Sequence, residues 1–358
     1  MKKSITFLFL MLLIGACPSF AQDKKFQLYA IGFYNLENLF DTCHDAGHND
    51  YEYLPDGRNK WTGLKYSHKL RNMARVLSEM GTDRLPLGCA AIGVSEVENA
   101  KCLADLCDQP PLKERNFQFA HIEGPDQRGV DCALLYNPRL FQVRDVRLVP
   151  YVYVKPEDSL RATRGFLTVS GTMAGEHVTI IVNHLPSRFA ESFYREEGGR
   201  QLRELKEQLL AEDPDVKLLI MGDMNDDPQD KSMAEKLGAR RKISDVEDTG
   251  LWNPWWDVLA SGTGTLQYDG GWNLFDQIIL SRSLLDPKHM KDGKDVDIKK
   301  IDCASLKYYR HQVFRRDYLF QREGKYKGNT LRTHAGGAWL DGYSDHLPTV
   351  VYLVKEAK

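Results

Sequence analysis

Apolar runs that stop abruptly at an acid, an amide or a histidine recur along this chain. Lys217–Met221 stops at Gly222-Asp223, the run at 177–183 leads into His184, and Cys89–Val94 stops at Ser95-Glu96. Runs this short and this uniformly apolar suit strands buried on both faces, which need covering layers on either side. Further strands are predicted at 26–34, 131–136, 142–148, 164–171, 275–281 and 347–354, with a turn at Gly175-Glu176. Leu70, Met73, Val76, Leu77 and Met80 repeat at helical spacing within 65–80, and 196–212 reads as a second amphipathic helix. A β-rich order with hairpins and interspersed helices predicts an α/β (α+β) chain with mixed sheets, not a doubly wound parallel sheet.

The N-terminus is read separately. Lys2 and Lys3, an apolar stretch and then Ser19-Phe20-Ala21 form an export signal over residues 1–21, with cleavage placed after Ala21. Ile14-Gly15-Ala16-Cys17 also resembles a lipoprotein box, so lipid anchoring through Cys17 is the alternative. The expected location is periplasmic or extracellular. Residues 22–358 are expected to form a single catalytic domain, and 42% hydrophobic residues supply core enough to exclude disorder. The formal charge of −2 excludes reading a nucleic-acid binder from bulk charge. Cys89 and Cys132 lie in apolar runs and are expected as buried thiols, and Cys102 and Cys107 fall on different helix faces. No CxxC pair or HExxH motif occurs, so a structural zinc or zincin site has no support.

Polar groups gather where the strands end: Asn35, Glu96, Arg128, Asp131, Asn183, His184, Asp223, Asn225, Asp345 and His346, with Asp276 inside an apolar run. Singly, each has a structural explanation: a turn former for Asn35, a helix cap for Glu96, a buried hydrogen-bonded histidine for His184. Together, strands that deliver acids, amides and two histidines to one rim make a site. Oxygen donors suit a hard divalent cation, and imidazoles suit proton transfer near neutral pH. That kit suits metal-assisted phosphoester hydrolysis.

FYNLENLFD, VSEVEN, RGVDCALLYNP, VNHLPSR, GDMNDDP, FDQIILS and SDHLP occur in that order between Phe33 and Pro348. The series resembles that of the endonuclease/exonuclease/phosphatase superfamily, which includes deoxyribonuclease I. The resemblance implies a four-layer sandwich, two mixed β-sheets face to face with helices on both outer sides. It implies Glu96 as principal ligand of Mg²⁺ (Mn²⁺ or Ca²⁺ being alternatives), with Asn35 beside it and Asp345 as a further ligand. It implies Asp223 and Asn225 on the attacking water, His346 on the phosphate with Asp276 holding its ring, and His184 on the opposite side. Which of Asp223 and His346 is the base stays open. Arg128 resembles a phosphate contact and Asp131 the carboxylate that orients His184. Arg188 is a further candidate for phosphate, and Asn183 for the substrate or its supporting loop.

The chain departs from the series between Asp276 and Asp345, where a segment at about 285–335 carries 13 Lys/Arg against 7 Asp/Glu between Asp286 and Arg332. Its interleaved aromatics suggest either a nucleic-acid-tracking arm or a decorated surface. Residues 43–63, with Tyr51, Tyr53 and Trp61, also look inserted. The expectation is an exported phosphodiesterase acting on DNA or RNA. The alternatives are a phosphatase on a phosphorylated small molecule, a sphingomyelinase-type phospholipid diesterase, or a non-catalytic binding protein. A lipid enzyme needs an exposed apolar loop, for which Trp252-Asn253-Pro254-Trp255-Trp256 is the candidate. No obligate protein partner is evident.

Overall fold

The computed structural model describes residues 25–357 apart from 159, 269 and 293–294; the export signal expected at 1–21, with Cys17, lies outside the described residues. Successive side chains of a strand point to opposite faces, and here both faces of the central strands are apolar. In β1 (Phe26–Leu39), Ile31 and Phe33 enter one core while Ala30, Tyr34 and Leu36 enter another. In β8 (Lys217–Asp223), Leu219 and Met221 join Ile31 and Phe33, and Leu218 and Ile220 pack the other way.

The shared core lies between two sheets. The first contains β1, β2 (Cys89–Val97), β3 (Gln118–His121), β4 (Asp131–Tyr136), β14 (Lys307–Val313) and β17 (Thr349–Glu356) in the order β14-β17-β1-β2-β4-β3. The second contains β5 (Phe141–Val149), β6 (Phe166–Met173), β7 (Glu176–His184), β8, β9 (Ala239–Arg240), β10 (Leu251–Trp252) and β13 (Asp276–Ser281) in the order β5-β6-β7-β8-β13-β10-β9. Both are mixed: β1 runs parallel to β2 and antiparallel to β17, and β7 parallel to β8 but antiparallel to β6. Two short hairpins stand apart, β11 (Leu266–Tyr268) with β12 (Gly271–Asn273) and β15 (His334–Ala335) with β16 (Ala338–Trp339).

Helices α1 (Gly63–Glu79), α2 (Ala100–Cys107) and α3 (Pro110–Lys113) cover the first sheet through Met73, Leu77, Leu103 and Leu112. Helix α4 (Ser192–Glu212) covers the second through Leu202, Leu205 and Leu209, and the short α5 (Trp256–Ala260) follows β10. The result is the four-layer sandwich that the motif series implied. Among the described residues no helix is long and apolar enough to cross a membrane.

One turn is corrected, and the alternatives left open for three segments are decided. The β6–β7 turn is Ala174-Gly175, both left-handed at φ 54° and 77°, one residue earlier than Gly175-Glu176. The basic segment is not a free arm: its β14 pairs with β17 as the edge of the first sheet, and Tyr308 and Phe314 are buried. Some of its cations are paired, Arg310 with Asp295 at 2.8 Å and Arg316 with Asp83 at 2.7 Å. The tryptophan loop is packed, with Trp255 fully buried and its Nε1 donating to the Ile278 carbonyl at 3.0 Å. In the 43–63 segment, Trp61 is buried and donates to the Phe40 carbonyl at 2.9 Å, while Tyr53 stacks on Phe40 at 4.2 Å. Cys89 and Cys132 are buried thiols, as read from the sequence, and Cys102 is buried as well.

Candidate active site

Strand register builds the site. His184 is the cross-strand neighbour of Asp223, and Asp223 of Asp276, so β7, β8 and β13 present these three residues in one row. The row needs Gly222 behind it: a Cβ there would meet the Asn183 carbonyl at 2.1 Å. Across the sandwich Asn35 pairs with Ser95, and both ladders slip at that point. Glu96 is the extra residue of this bulge, held at φ 60°. A bulge bends the strand and re-aims a side chain, and left-handed backbone at a non-glycine residue concentrates at functional sites. Asn225, at φ 50°, shows the same strain just past β8.

Asp223 Oδ2 is the hub. Asn35 Nδ2 donates to it at 3.0 Å, and the Nε2 atoms of His184 and His346 lie 3.6 and 3.8 Å away. Asp223 Oδ1 accepts the Asn225 N–H at 2.9 Å. Asp345 Oδ1 stands 3.9 Å from His346 Nε2, and Glu96 Oε1 the same 3.9 Å from His184 Nε2.

The two imidazoles are not equivalent. His346 Nδ1 donates to Asp276 Oδ2 at 2.7 Å. Burial works against its charge, but the carboxylates of Asp276 and Asp223 outweigh burial and hold its pKa well above the ordinary value. His184 Nδ1 is buried without a partner. Burial, then the nearby Arg164 and Arg128, push its pKa well below the ordinary value. Burial pushes Asp223 up to about 7, against the opposing charge of His346. One imidazole charged and one neutral, on either side of a carboxyl poised near neutrality, is the separation of roles that acid–base chemistry needs.

An endonuclease/exonuclease/phosphatase family model matches residues 30–355. The chain belongs to this family. No curated protein sequence matches it. Solved structures of similar fold include an endonuclease/exonuclease/phosphatase family protein of Bacteroides thetaiotaomicron, 14% identical with a TM-score of 0.54 over 93% of this chain and 97% of that one. The mannosyl-6-phosphatase Bt3783 of the same organism is 14% identical with a TM-score of 0.53, covering 91% and 99%. A humanized D. rerio TDP2 is 14% identical with a TM-score of 0.51, covering 91% and 98%.

Of the ligands that the motif series implies, Glu96 and Asp345 offer carboxylate oxygens, while Asn35 Oδ1 already accepts the Glu37 N–H at 2.8 Å; the group at this site whose ligand atoms lie within 4.8 Å of one another is Asp223, Asp276 and His346. Glu96 Oε2 accepts the Asn38 N–H at 3.0 Å, which fixes the carboxylate while Oε1 turns to the hub. Asp276 Oδ1 is a buried oxygen without a hydrogen-bond partner. The carboxylates of Asp223, Asp276, Glu96 and Asp345 crowd together, an excess of negative charge that a cation would offset.

Three assignments change. Asp131 does not orient His184: its oxygens accept His121 Nε2 at 2.9 Å and the Gly124 N–H at 3.0 Å. Arg188 is held away from a phosphate role by acids, with Nη2 on Asp230 at 2.9 Å and Asp227 at 3.2 Å. Its Nε donates to the Asn225 carbonyl at 3.1 Å, so it braces that loop. Asn183 is fully buried and donates to the Met221 carbonyl at 2.8 Å, tying β7 to β8. Arg128 remains half exposed, with Asp126 3.8 Å from its Nε.

The sequence reading missed a second charged layer. Glu37, at φ 49°, accepts Arg332 Nε and the Thr333 N–H, each at 2.7 Å, and Arg332 Nη2 reaches Asp345 Oδ2 at 3.0 Å. Lys69 Nζ donates to Thr333 Oγ1 and the Tyr343 carbonyl, both at 2.6 Å. Glu37 lay in view within the motif FYNLENLFD, but past the strand predicted at 26–34; the structure extends that strand to Leu39. Arg332 carried no signal beyond its place in the basic segment.

Proposed function

We propose that this chain is a divalent-metal-dependent phosphodiesterase that hydrolyses the backbone of DNA or RNA. Family membership supports phosphoesterase chemistry. The observation that supports the diester reading is a pair of clefts whose walls include chain neighbours of the two imidazoles, though not the imidazoles themselves. One, of about 550 Å³, is lined by Arg128 and by Pro186 and Ser187, which follow His184. The other, of about 370 Å³, is lined by Arg332, Asn329 and Asp345, next to His346. A diester carries a substituent on each side of phosphorus, and a monoester on one.

In this reading Glu96, Asn35 and Asp345 hold the cation, Mg²⁺ first, with Mn²⁺ or Ca²⁺ as alternatives. When bound, the cation would supply charge to offset the phosphate and stabilise the leaving oxygen. Asp223, fixed by the Asn35 amide and the Asn225 N–H, takes a proton from the attacking water. His346, kept charged by Asp276, donates to a phosphate oxygen, and His184 meets the phosphate from the opposite side. The signal-like residues 1–21 support export, with Cys17 as the site of an alternative lipid anchor.

The internal pairing of the basic segment favours a second reading, a phosphatase acting on a small phosphorylated molecule, because it leaves fewer cations to track a polymer. The packed tryptophan loop counts against a phospholipid substrate. The test is a turnover screen with Mg²⁺, Mn²⁺, Ca²⁺ or chelator on plasmid and single-stranded DNA, RNA, sugar phosphates and a sphingomyelin analogue. Metal-dependent cleavage of nucleic acid is the expected result. Hydrolysis of sugar phosphates alone would move the protein to the second reading.

A further inference from the structure

The cleft beside His184 has features that the chemistry at Asp223 does not use. Phe189, at its lip in the loop between β7 and α4, is 105% exposed, a whole phenyl ring given to water. Arg161 lines the same cleft with its Cζ 4.7 Å over the Tyr153 ring and 5.0 Å over the Tyr194 ring. Nη1 of Arg161 is bonded to Asp158 at 3.0 Å, and its side chain is about half exposed, 46%. That stacking fixes the plane of a guanidinium whose fork matches phosphate. Arg164, also lining the cleft, is more than nine-tenths buried, yet its Nε has no hydrogen-bond partner. Its Nη1 is held by Asp126 at 2.8 Å and its Nη2 by the Leu185 carbonyl at 3.4 Å, so Arg164 lends this wall charge from behind.

The carboxylates of this wall are already engaged. Asp126 accepts Arg164 Nη1 at 2.8 Å and Thr163 Oγ1 at 3.3 Å, and Glu191 accepts Lys155 at 3.0 Å. What is left for a ligand is cationic and aromatic. The volume, about 550 Å³, lies within the roughly 300–1,000 Å³ of small-ligand sites.

We propose that this cleft is a subsite for the nucleotide that flanks the scissile phosphate on the His184 side. Phe189 is the platform for its base, and Arg161 meets its phosphate. Stacking on an aromatic ring is tolerant of sequence, because every base has a π face. The proposal rests on the phosphodiesterase reading and deepens it: the substrate is a strand with at least one nucleotide beyond the cleaved bond.

The test compares Phe189→Ala and Arg161→Gln with wild type on hexathymidylate and on bis(4-nitrophenyl) phosphate, which has no flanking nucleotide. Thermal melts check the fold of each variant. Each variant is expected to lose on the order of tenfold in kcat/KM on the hexamer, chiefly through KM. Turnover of the small diester stays within about twofold of wild type, since neither residue touches the reacting atoms. Arg161→Gln should also reduce the slope of log kcat/KM against log salt by about 0.7. Equal losses on both substrates, or none on the hexamer, would overturn the subsite while leaving the nuclease reading standing. Wild-type turnover of the small diester without any cleavage of the hexamer would sink the nuclease reading and the subsite with it. Phe189-dependent sedimentation with phosphatidylcholine vesicles, with hexamer cleavage unchanged in Phe189→Ala, would assign the ring to a lipid surface and overturn the proposal.

Discussion

Asp223 shows how little of a site one residue supplies and how much its neighbours decide. An aspartate in water is ionised at neutral pH; here burial pushes it up to about 7. A divalent cation close by favours the ionised form, so binding near pH 7 should release part of a proton, and the release should fade as pH rises past that value. Calorimetric titration with Mg²⁺ in two buffers of different ionisation enthalpy measures it, and Asp223→Asn should abolish it. An equal apparent enthalpy in both buffers would contradict the assignment. His346 depends on Asp276 in the opposite sense. Asp276→Asn removes the nearest carboxylate, so the imidazolium loses its proton at lower pH and the alkaline limb of the kcat/KM profile moves down. Activity at neutral pH is expected to fall by about 10²–10⁴-fold. An unmoved limb would show that Asp276 does not hold the charge. Asp223, Asp276 and His346 were legible in the sequence because each interrupts or borders an apolar run. The true partner of Asp131 was not: His121 lies on the adjacent strand β3, too short and too mixed to be read as a strand.

Elements aim these residues, and the aiming is local and costly. Gly222 lets β7 and β8 close up where the Asn183 carbonyl would sit 2.1 Å from a Cβ. Gly222→Ala should therefore lose stability, by about 1–3 kcal/mol, read as a lower melting temperature, and lose activity as Asp223 shifts. Unchanged stability would mean that the row tolerates a wider strand spacing. At the end of β2, Glu98 accepts the Asp41 N–H at 2.7 Å, and burial pushes its carboxyl up to about 8. The folded state thus keeps a proton that the unfolded chain gives up near 4.5, so this residue lowers stability as pH rises from about 4.5 to 8. Glu98→Gln should flatten that part of the stability–pH curve; an identical slope in the variant would contradict it. Strands buried on both faces were legible because their apolar runs are continuous. The bulge at Glu96 was not, since nothing in Ser-Glu-Val marks an extra residue until the partner strands are in place.

At the scale of the whole molecule, three apolar cores stack four layers, and the strand ends of both inner sheets meet at one rim. The strand runs, read one by one, give mixed sheets; the motif order gives the sandwich. What neither gives is the wall made by the basic segment. Arg332 reaches Glu37 across 295 positions and Asp345 across the site, a pairing set by tertiary packing alone. Arg332→Ala leaves the buried Glu37 short of its partner and should lower the melting temperature, with a cost of about 1–3 kcal/mol after allowing for the half-exposed arginine. An unchanged melt would make the wall decoration.

In the proposed reaction the Asp223 hub, with its two unequal imidazoles, cleaves phosphoesters with the help of a divalent cation. The most direct test is kcat/KM of wild type and Asp223→Asn on single-stranded DNA with Mg²⁺ and with chelator, alongside circular dichroism of both proteins. The expected result is metal-dependent cleavage that falls by at least about 10³-fold in a variant of unchanged fold. Metal-dependent cleavage that persists in Asp223→Asn would contradict this role of Asp223.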